Sequence, residues 1–552
     1  MQRGGSNAEP KTLSLNDAWK YESGRRLLPY DLFKWWGRRP ALAIAMLLLE
    51  GAGITGYQVA DIVASRLAHR SSKILSNLKI CDPMCGGGTT LFEALFLGAG
   101  EVLCSDVNFA STTVVKATMK VLRECDNVVS VILKALRRVS KELEDMWCVN
   151  GHCHVHSFLT RGCSGEYCIA PKWVGIFRVK GDILKIAITE TGELVEDQNV
   201  GIRDIVKLPR EKLVEVSKGV YAYVVEMYNA GDPLERGFIS LIKDRSVAAH
   251  LEEAQKIARS RLSGGCTPIT SGRETRRLLR EGIKCWEQIF TPRQLLTLKL
   301  FTEYVVEEDR DMVEVAVATV GTIIRTASLL AFYYQPYGKV NPGLVVKSFW
   351  IPRYPVELNP IAGDLDNVKT VGRGTIITYV RKLKKTCKTV PNSILQSSDN
   401  VAITMMDAFD VDYRGCDVVI LDPPYPGKVA YEDLSQVYMI PYSFLNVDLP
   451  SIPTKAIDTG NLEKYVETIA NLVLKILNQA PKAQIYMMLG FDKKGEIVYE
   501  DLKNMFLQQG VSIELKDSIV AEAPGTLGRS KARKVMIIKM VKLAPENHYK
   551  PL

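Results

Sequence analysis

Apolar and polar positions change their period several times along this chain, and each change marks a boundary in the expected fold. The first 60 residues read as helical and are rich in aromatics and arginine, with Pro40 placed to open a helix, where its missing N–H costs nothing. From Leu78 a strand, a glycine loop, a helix and a second strand follow, ending near Asn108, and helix continues to about Asp145. The period then becomes two. Residues 176–179 and 183–186 alternate on either side of a Gly181-Asp182 turn, and 220–225 adds a further strand, so a small β-rich unit is expected to about 245. Helices resume near 250. Thr291, with Pro292 behind it and Gln294 three residues on, forms an N-cap with a capping box, and Leu295, Leu298, Phe301 and Val305 give that helix its apolar spacing. After the Pro- and Gly-rich stretch 336–363, strands are expected at 402–406, 417–421, 484–490, 512–520 and 534–541, with a helix near 461–479.

This is an α/β pattern interrupted by a long insertion, without internal repeats. At 552 residues the chain exceeds one ordinary core. Its expected organisation is an N-terminal half-domain (1–145) with the glycine loop, a β module (146–245), a helical insertion (246–395) and a second half-domain (396–552). Composition alters this picture little: 47% hydrophobic and 24% charged residues describe an ordinary globular protein, and a net charge of +9 neither demands nor excludes a polyanionic partner. Residues 1–10 lack the apolar core of a signal peptide, and the apolar run 41–49 is too short to span a bilayer. A cytoplasmic protein with no membrane partner is expected, its twelve cysteines being reduced thiols or metal ligands and not disulfides.

The first candidate chemistry lies after the strand at 78–82. The loop Pro83-Met84-Cys85-Gly86-Gly87-Gly88-Thr89-Thr90 lets backbone approach a ligand at the carboxyl edge of a parallel sheet. It lacks the lysine of a phosphate-binding Walker loop and the third glycine of a dinucleotide loop, because Leu91 stands there. A methionine-nucleoside cofactor without phosphates remains, the alternative being a plain tight turn. Asp82 is placed for the ligand's ammonium, and Asp106, ending the next strand, for ribose hydroxyls. The second lies at Asp422-Pro423-Pro424-Tyr425, after the apolar 418–421. Two prolines remove N–H donors and leave carbonyls free, so a carboxylate and a carbonyl can together hold both hydrogens of an –NH2 while Tyr425 stacks on the ring that bears it. Here the alternative is a rigid proline turn.

Together, Asp82, Pro83, Gly86, Gly88, Thr89, Asp106 and the Asp422-Pro423-Pro424-Tyr425 segment resemble the cofactor and catalytic motifs of amino-methyltransferases acting on DNA. Lys34-Trp35-Trp36-Gly37 is similar to the cofactor-side motif of adenine methylases. Phe290-Thr291-Pro292-Arg293-Gln294-Leu295, Glu357-Leu358-Asn359-Pro360 and Tyr431-Glu432-Asp433-Leu434-Ser435 narrow the resemblance to adenine-specific DNA methylases that contain a Zn-ribbon. The resemblance implies a Rossmann-like class I methyltransferase sheet, S-adenosylmethionine as cofactor, Lys34, Trp36, Asp407 and Phe409 on the cofactor side, and N6 of adenine in flipped-out DNA as target. Partner subunits of a modification or defence system would fit it. The glycine loop departs from the family's commoner aromatic and Gly-Ser-Gly pattern. Cytosine N4, an RNA amine, or a non-catalytic DNA-binding subunit stay open as alternatives.

Cys148 and Cys153, then Cys163 and Cys168, form two pairs with four residues inside each and nine between. Such knuckles suit a closed tetrahedral structural Zn site, with His152, His154 and His156 as possible substitutes and metal-free thiols as the alternative. Arg25, Arg26, Arg38, Arg39, the arginines of 273–280 and the cations of 381–385 are candidate phosphate contacts.

Overall fold

Period-two alternation in seven segments builds the main sheet. The computed structural model describes residues 27–54, 57–67, 73–179, 182–345, 348–390, 400–426, 429–445, 447–451, 459–491, 493–521 and 533–542, with positions 14, 15, 17, 22 and 457. Residues 1–10, Arg25, Arg26 and Gly181 lie outside these. The chain divides into two units: Met1–Arg123, Thr386–Val429 and Ser451–Leu552 form the first; Glu124–Lys385 and Ala430–Pro450 form the second. The inserted unit therefore begins at Glu124, and it also claims the later segment with Tyr431 to Ser435.

The first unit holds strands β1 (Lys79–Asp82), β2 (Glu101–Asp106), β3 (Val401–Met405), β4 (Val418–Leu421), β5 (Gln484–Phe491), β6 (Val511–Ala521) and β7 (Arg533–Lys542). Their order is β3-β2-β1-β4-β5-β7-β6. The first five run parallel, and β7 is antiparallel to both neighbours. Side chains alternate between two cores. Ile80, Val418, Ile420, Tyr486, Met488, Val535 and Ile537 pack with the helices Ala41–Gly51 and Thr89–Phe96. Cys81, Val419, Leu421, Ile485, Met487, Met536 and Ile538 face the opposite way, toward Leu462–Gln479 and Lys493–Leu507. Helices thus cover both faces of a mixed sheet, which explains the nearly continuous apolar runs of β4 and β5.

Residues 27–40, expected to be helical, are turns and irregular chain, and the first helix past them starts at Ala41. The reason is tertiary: Leu32, Phe33, Lys34, Trp35 and Trp36 are all buried, on more sides than one helix face could serve.

The second unit is built on an antiparallel sheet of Val214–Ser217, Val220–Asn229, His152–Thr160 and Val356–Leu358, with helices Cys125–Glu142, Arg245–Arg261, Pro292–Glu308 and Val313–Ile323. The expected hairpin is present as Trp173–Val179 against Asp182–Ile188. The capping box forms: Thr291 Oγ1 accepts from Gln294 N, and Gln294 Oε1 accepts from Thr291 N, both at 3.3 Å. Among the described residues no helix is long and apolar enough to cross a membrane.

The cysteines depart from expectation, since none is a free thiol. Cys81–Cys416 and Cys85–Cys104 are disulfides of the first unit; Cys148–Cys153, Cys163–Cys168 and Cys266–Cys285 belong to the second. The supposed two-knuckle site does not assemble either. Each pair closes its own hairpin, Cys148 opposite Cys153 and Cys163 opposite Cys168. The residues between them are not a loop but the nine-residue strand His152–Thr160. Such a strand spans ~30 Å, whereas Zn–S bonds measure about 2.3 Å. Among the described residues no group of three or more His, Cys, Asp or Glu is placed to hold a metal.

Candidate active site at the carboxyl edge of the sheet

Four parallel strands deliver four carboxylates to one edge. β1 ends on Asp82 and β2 on Asp106; β3 stops two residues before Asp407, and β4 one residue before Asp422. Their registers are aligned, with Asp82 beside Cys104, Asp106 beside Met405, and Ile80 beside Val418. The strand order reverses between β1 and β4, the point where open α/β sheets leave a crevice at their carboxyl ends. Asp82 and Asp422 flank it.

The glycine loop is held from both sides. Gly86 and Gly88 take φ of +49° and +77°, a region L side chains avoid. Gly86 N–H donates to Asp106 Oδ2 and Asn108 N–H to Oδ1, both at 2.8 Å, while Ser111 Oγ donates to the Gly86 carbonyl. The segment ahead of the first helix lies on the loop. A Cβ on Gly86 would stand 2.8 Å from Trp35 Nε1, and one on Gly87 2.7 Å from the Arg38 guanidinium. Arg38 donates to the carbonyls of Gly87 (2.6 Å) and Phe33 (3.2 Å). The loop's bareness thus serves the protein's own packing as well as any ligand. Lys34 and Trp36, on the same segment, are buried, the ammonium 5.9 Å from the Trp36 ring centroid; Pro83 and Thr89 are buried too. Asp407 Oδ1 accepts from Phe409 N–H at 2.9 Å, and both residues are half-buried.

At the other lip, Tyr425 lies against Gly490 of β5, where a Cβ would come 3.0 Å from the ring. Arg39 reaches both remaining groups: its Nη2 donates to Asp422 Oδ1 at 2.5 Å, and its guanidinium carbon sits 4.5 Å from the Tyr425 ring centroid. Arg38 and Arg39, read from sequence as phosphate contacts, are therefore spent inside this site. Arg276, Arg277 and Arg280, and Arg381, Lys384 and Lys385, remain exposed on the second unit.

The electrostatics are those of an acid-rich crevice. Burial pushes Asp82 up to about 7, with the charges of Asp422 and Asp106 adding to the rise. Burial likewise raises Asp106 against its two backbone donors, and raises Asp422 against the opposing pull of Arg39. The phenol of Tyr465, fully buried, is pushed upward by burial and then by Asp422.

Three contributors escaped the sequence reading. Gly490 carried a usable signal, an isolated glycine within a strand, which often marks a close approach. Arg39 carried half a signal, through its tryptophan neighbours, and Tyr465 none. Of the histidines near the cysteine pairs, His152 is exposed, whereas His154 and His156 are buried in their strand, and burial pushes His156 down to about 3, so it is neutral. No protein-family model matches this sequence, and no curated protein matches it.

Proposed function

We propose that the first unit is a Rossmann-like methyltransferase domain that moves the methyl group of S-adenosylmethionine to the exocyclic amine of a nucleic-acid base, N6 of adenine in DNA first among them. The observation that carries this reading is the set of four carboxylates on one sheet edge, with Asp82 and Asp422 close enough for each charge to oppose the other's.

The donor set fits the cofactor. An edge that gathers one buried and three half-buried carboxylates favours a ligand bearing a sulfonium and an ammonium. Asp82 would receive the ammonium. A carboxylate has about four acceptor positions, so Asp106 keeps capacity for ribose hydroxyls beyond the N–H groups of Gly86 and Asn108. Asp407 would take the adenine side, with Phe409 against the ring. When bound, the cofactor supplies an electrophilic methyl group, so no enzyme nucleophile is required.

The chain's own residues do the rest. Asp422 and the Pro423 carbonyl accept the two amine hydrogens, which draws the nitrogen lone pair out of conjugation. Tyr425 stacks on the base and offsets part of the cost of unstacking it. Burial lifts Asp422 above the usual carboxylate range, which makes it a better acceptor for the proton the amine sheds. The exposed cations of the inserted unit support a polyanionic substrate.

The test is transfer of labelled methyl to duplex DNA by the native chain and by Asp422→Ala, followed by nucleoside analysis. Label in N6-methyl-2′-deoxyadenosine with the native protein, and about 10²–10³-fold less with the variant, is expected. Equal incorporation by both would overturn the assignment, and label in N4-methyl-2′-deoxycytidine would move the target.

A further inference from the structure

Arg39 makes the two contacts that the reading above reserves for the target base. Its guanidinium is planar and carries N–H donors, as does the amidine-like edge of an aminated nucleobase. One of those donors reaches Asp422 Oδ1 at 2.5 Å, and the group lies over the Tyr425 ring with its carbon 4.5 Å from the centroid. Both side chains of the ion pair are mostly shielded, Arg39 at 16% exposure and Asp422 at 20%, so this is not a solvated surface pair. A base that took these two contacts would need the place the guanidinium now holds.

Arg39 is also well supported where it is. It directly follows Arg38, which is fixed to the Gly87 and Phe33 carbonyls, and it precedes Pro40 and the helix Ala41–Gly51. The backbone is thereby anchored on both sides, while the long side chain reaches the seat through rotatable bonds. A side chain on a fixed backbone can leave and return without rearranging the loop.

We propose that Arg39 is a built-in surrogate for the target base: it occupies the amine seat at rest, and only a planar ring bearing an N–H donor displaces it. This deepens the methyltransferase reading and rests on it for the identity of the seat. The gate selects twice, because a ligand must replace the stacking on Tyr425 and also the hydrogen bond to Asp422. Purine riboside, which carries a hydrogen in place of the amine and no N–H on its ring, offers only the first. Displacement also takes a positive charge from Asp422, which raises its proton affinity at the stage when the amine must lose a proton.

The experiment is calorimetric binding of adenosine and purine riboside to the full chain, with S-adenosylhomocysteine saturating the cofactor side, for native protein, Arg39→Ala and Arg39→Lys. A seat closed nine-tenths of the time weakens apparent affinity about tenfold. Arg39→Ala is therefore expected to bind adenosine about tenfold more tightly than native, and purine riboside, weaker throughout because it makes no bond to Asp422, is expected to gain by the same factor. Arg39→Lys, which keeps the charge but loses the plane, is expected to fall between them. Millimolar guanidinium chloride is expected to compete with adenosine in Arg39→Ala, a readout that a merely structural arginine would not give. Unchanged or weaker adenosine binding by both variants overturns the gate, as does native binding of purine riboside as tight as that of adenosine. If Arg39→Ala does not fold, Arg39→Lys and its competition by guanidinium decide alone. Methyl transfer measured in parallel separates the two ideas. Tighter adenosine binding without transfer to any nucleic acid leaves the gate standing and removes the methyltransferase reading, whereas normal transfer without the affinity change does the reverse.

Discussion

Arg293–Glu357 of the second unit and the half-buried Arg39–Asp422 of the first are both arginine–carboxylate pairs, and they behave in opposite ways. In the second unit Arg293 and Glu357 are fully buried, and the arginine holds the carboxylate with two N–H groups, at 2.8 and 2.7 Å. Thr291, Gln255 and Ser157 also donate to Glu357, and the Trp147 ring backs the guanidinium at 4.0 Å. Burial would raise Glu357, yet Arg293 and the donors win and hold it below the usual range. In the first unit Asp422 accepts from one arginine nitrogen, and burial wins, so its proton affinity is raised. A buried charge that saturates its acceptors is architecture, joining a helix start to a strand of the sheet. A buried charge with acceptor capacity to spare in a crevice is poised for a ligand.

Breaking the saturated pair gives the largest expected effect. Arg293→Ala leaves Glu357 buried without its cation, which costs about 3–5 kcal/mol. Denaturant unfolding should register that loss, and a change under 1 kcal/mol would remove the contrast between the two clusters. Asp422→Ala tests the other side. It should lower methyl transfer by about 10²–10³-fold, or roughly 3–4 kcal/mol in the barrier, the scale for losing one preorganised hydrogen-bonding partner. Its melting temperature should stay near native or rise, since a raised carboxylate is not a stabilising ion. A large loss of stability in Asp422→Ala would make that pair architecture as well.

Much of this contrast was legible in the sequence, and the legible part is local. Apolar alternation placed the sheet strands within a residue or so of their observed ends, as at Gln484–Phe491 and Arg533–Lys542. Strand-end aspartates and the proline turn pointed to one edge because parallel strands present their carboxyl ends together. What did not show depends on pairs far apart in sequence. Arg39 meets Asp422 across 383 residues, and Cys81 meets Cys416 across 335. The cysteine spacing misled for a related reason: nine intervening residues fit a metal loop and a straight strand equally well, and pairing with Val220–Asn229 selected the strand. The tryptophan-rich segment read as helix because periodicity cannot register a chain buried on several sides.

Gly86→Ala probes how the loop couples the two lips of the crevice. A side chain there meets a φ of +49° and stands 2.8 Å from Trp35 Nε1. The backbone cost alone is roughly 1–2 kcal/mol, and Trp35 must shift besides. Because Arg38 and Arg39 follow Trp35 on the same segment, the displacement should weaken cofactor binding and also loosen the Arg39–Asp422 pair. Calorimetry of S-adenosylmethionine and adenosine binding reads both. Weaker cofactor binding with tighter adenosine binding is expected; loss of the first alone would mean the lips are independent.

The smallest expected effect is a pH dependence, and it sharpens the contrast because Glu357 should show none. Asp82 stands at about 7 in the ligand-free protein, raised first by burial and then by neighbouring carboxylates. Below that value it is protonated and offers the ammonium of S-adenosylmethionine no charge, so binding must first expel a proton. Affinity should therefore climb about tenfold per pH unit, or ~1.4 kcal/mol, on approaching 7 from below, and level off above it. The same raised proton affinity favours the ligand-free fold at low pH, and this contribution is lost as pH rises through about 7. Cofactor binding and ligand-free stability should thus move in opposite directions across one window. Asp82→Asn should flatten both trends, at an affinity near that of the native protein in acid. A native affinity that does not change between pH 5.5 and 7.5 would detach Asp82 from the cofactor and leave its burial, like that of Glu357, a matter of architecture.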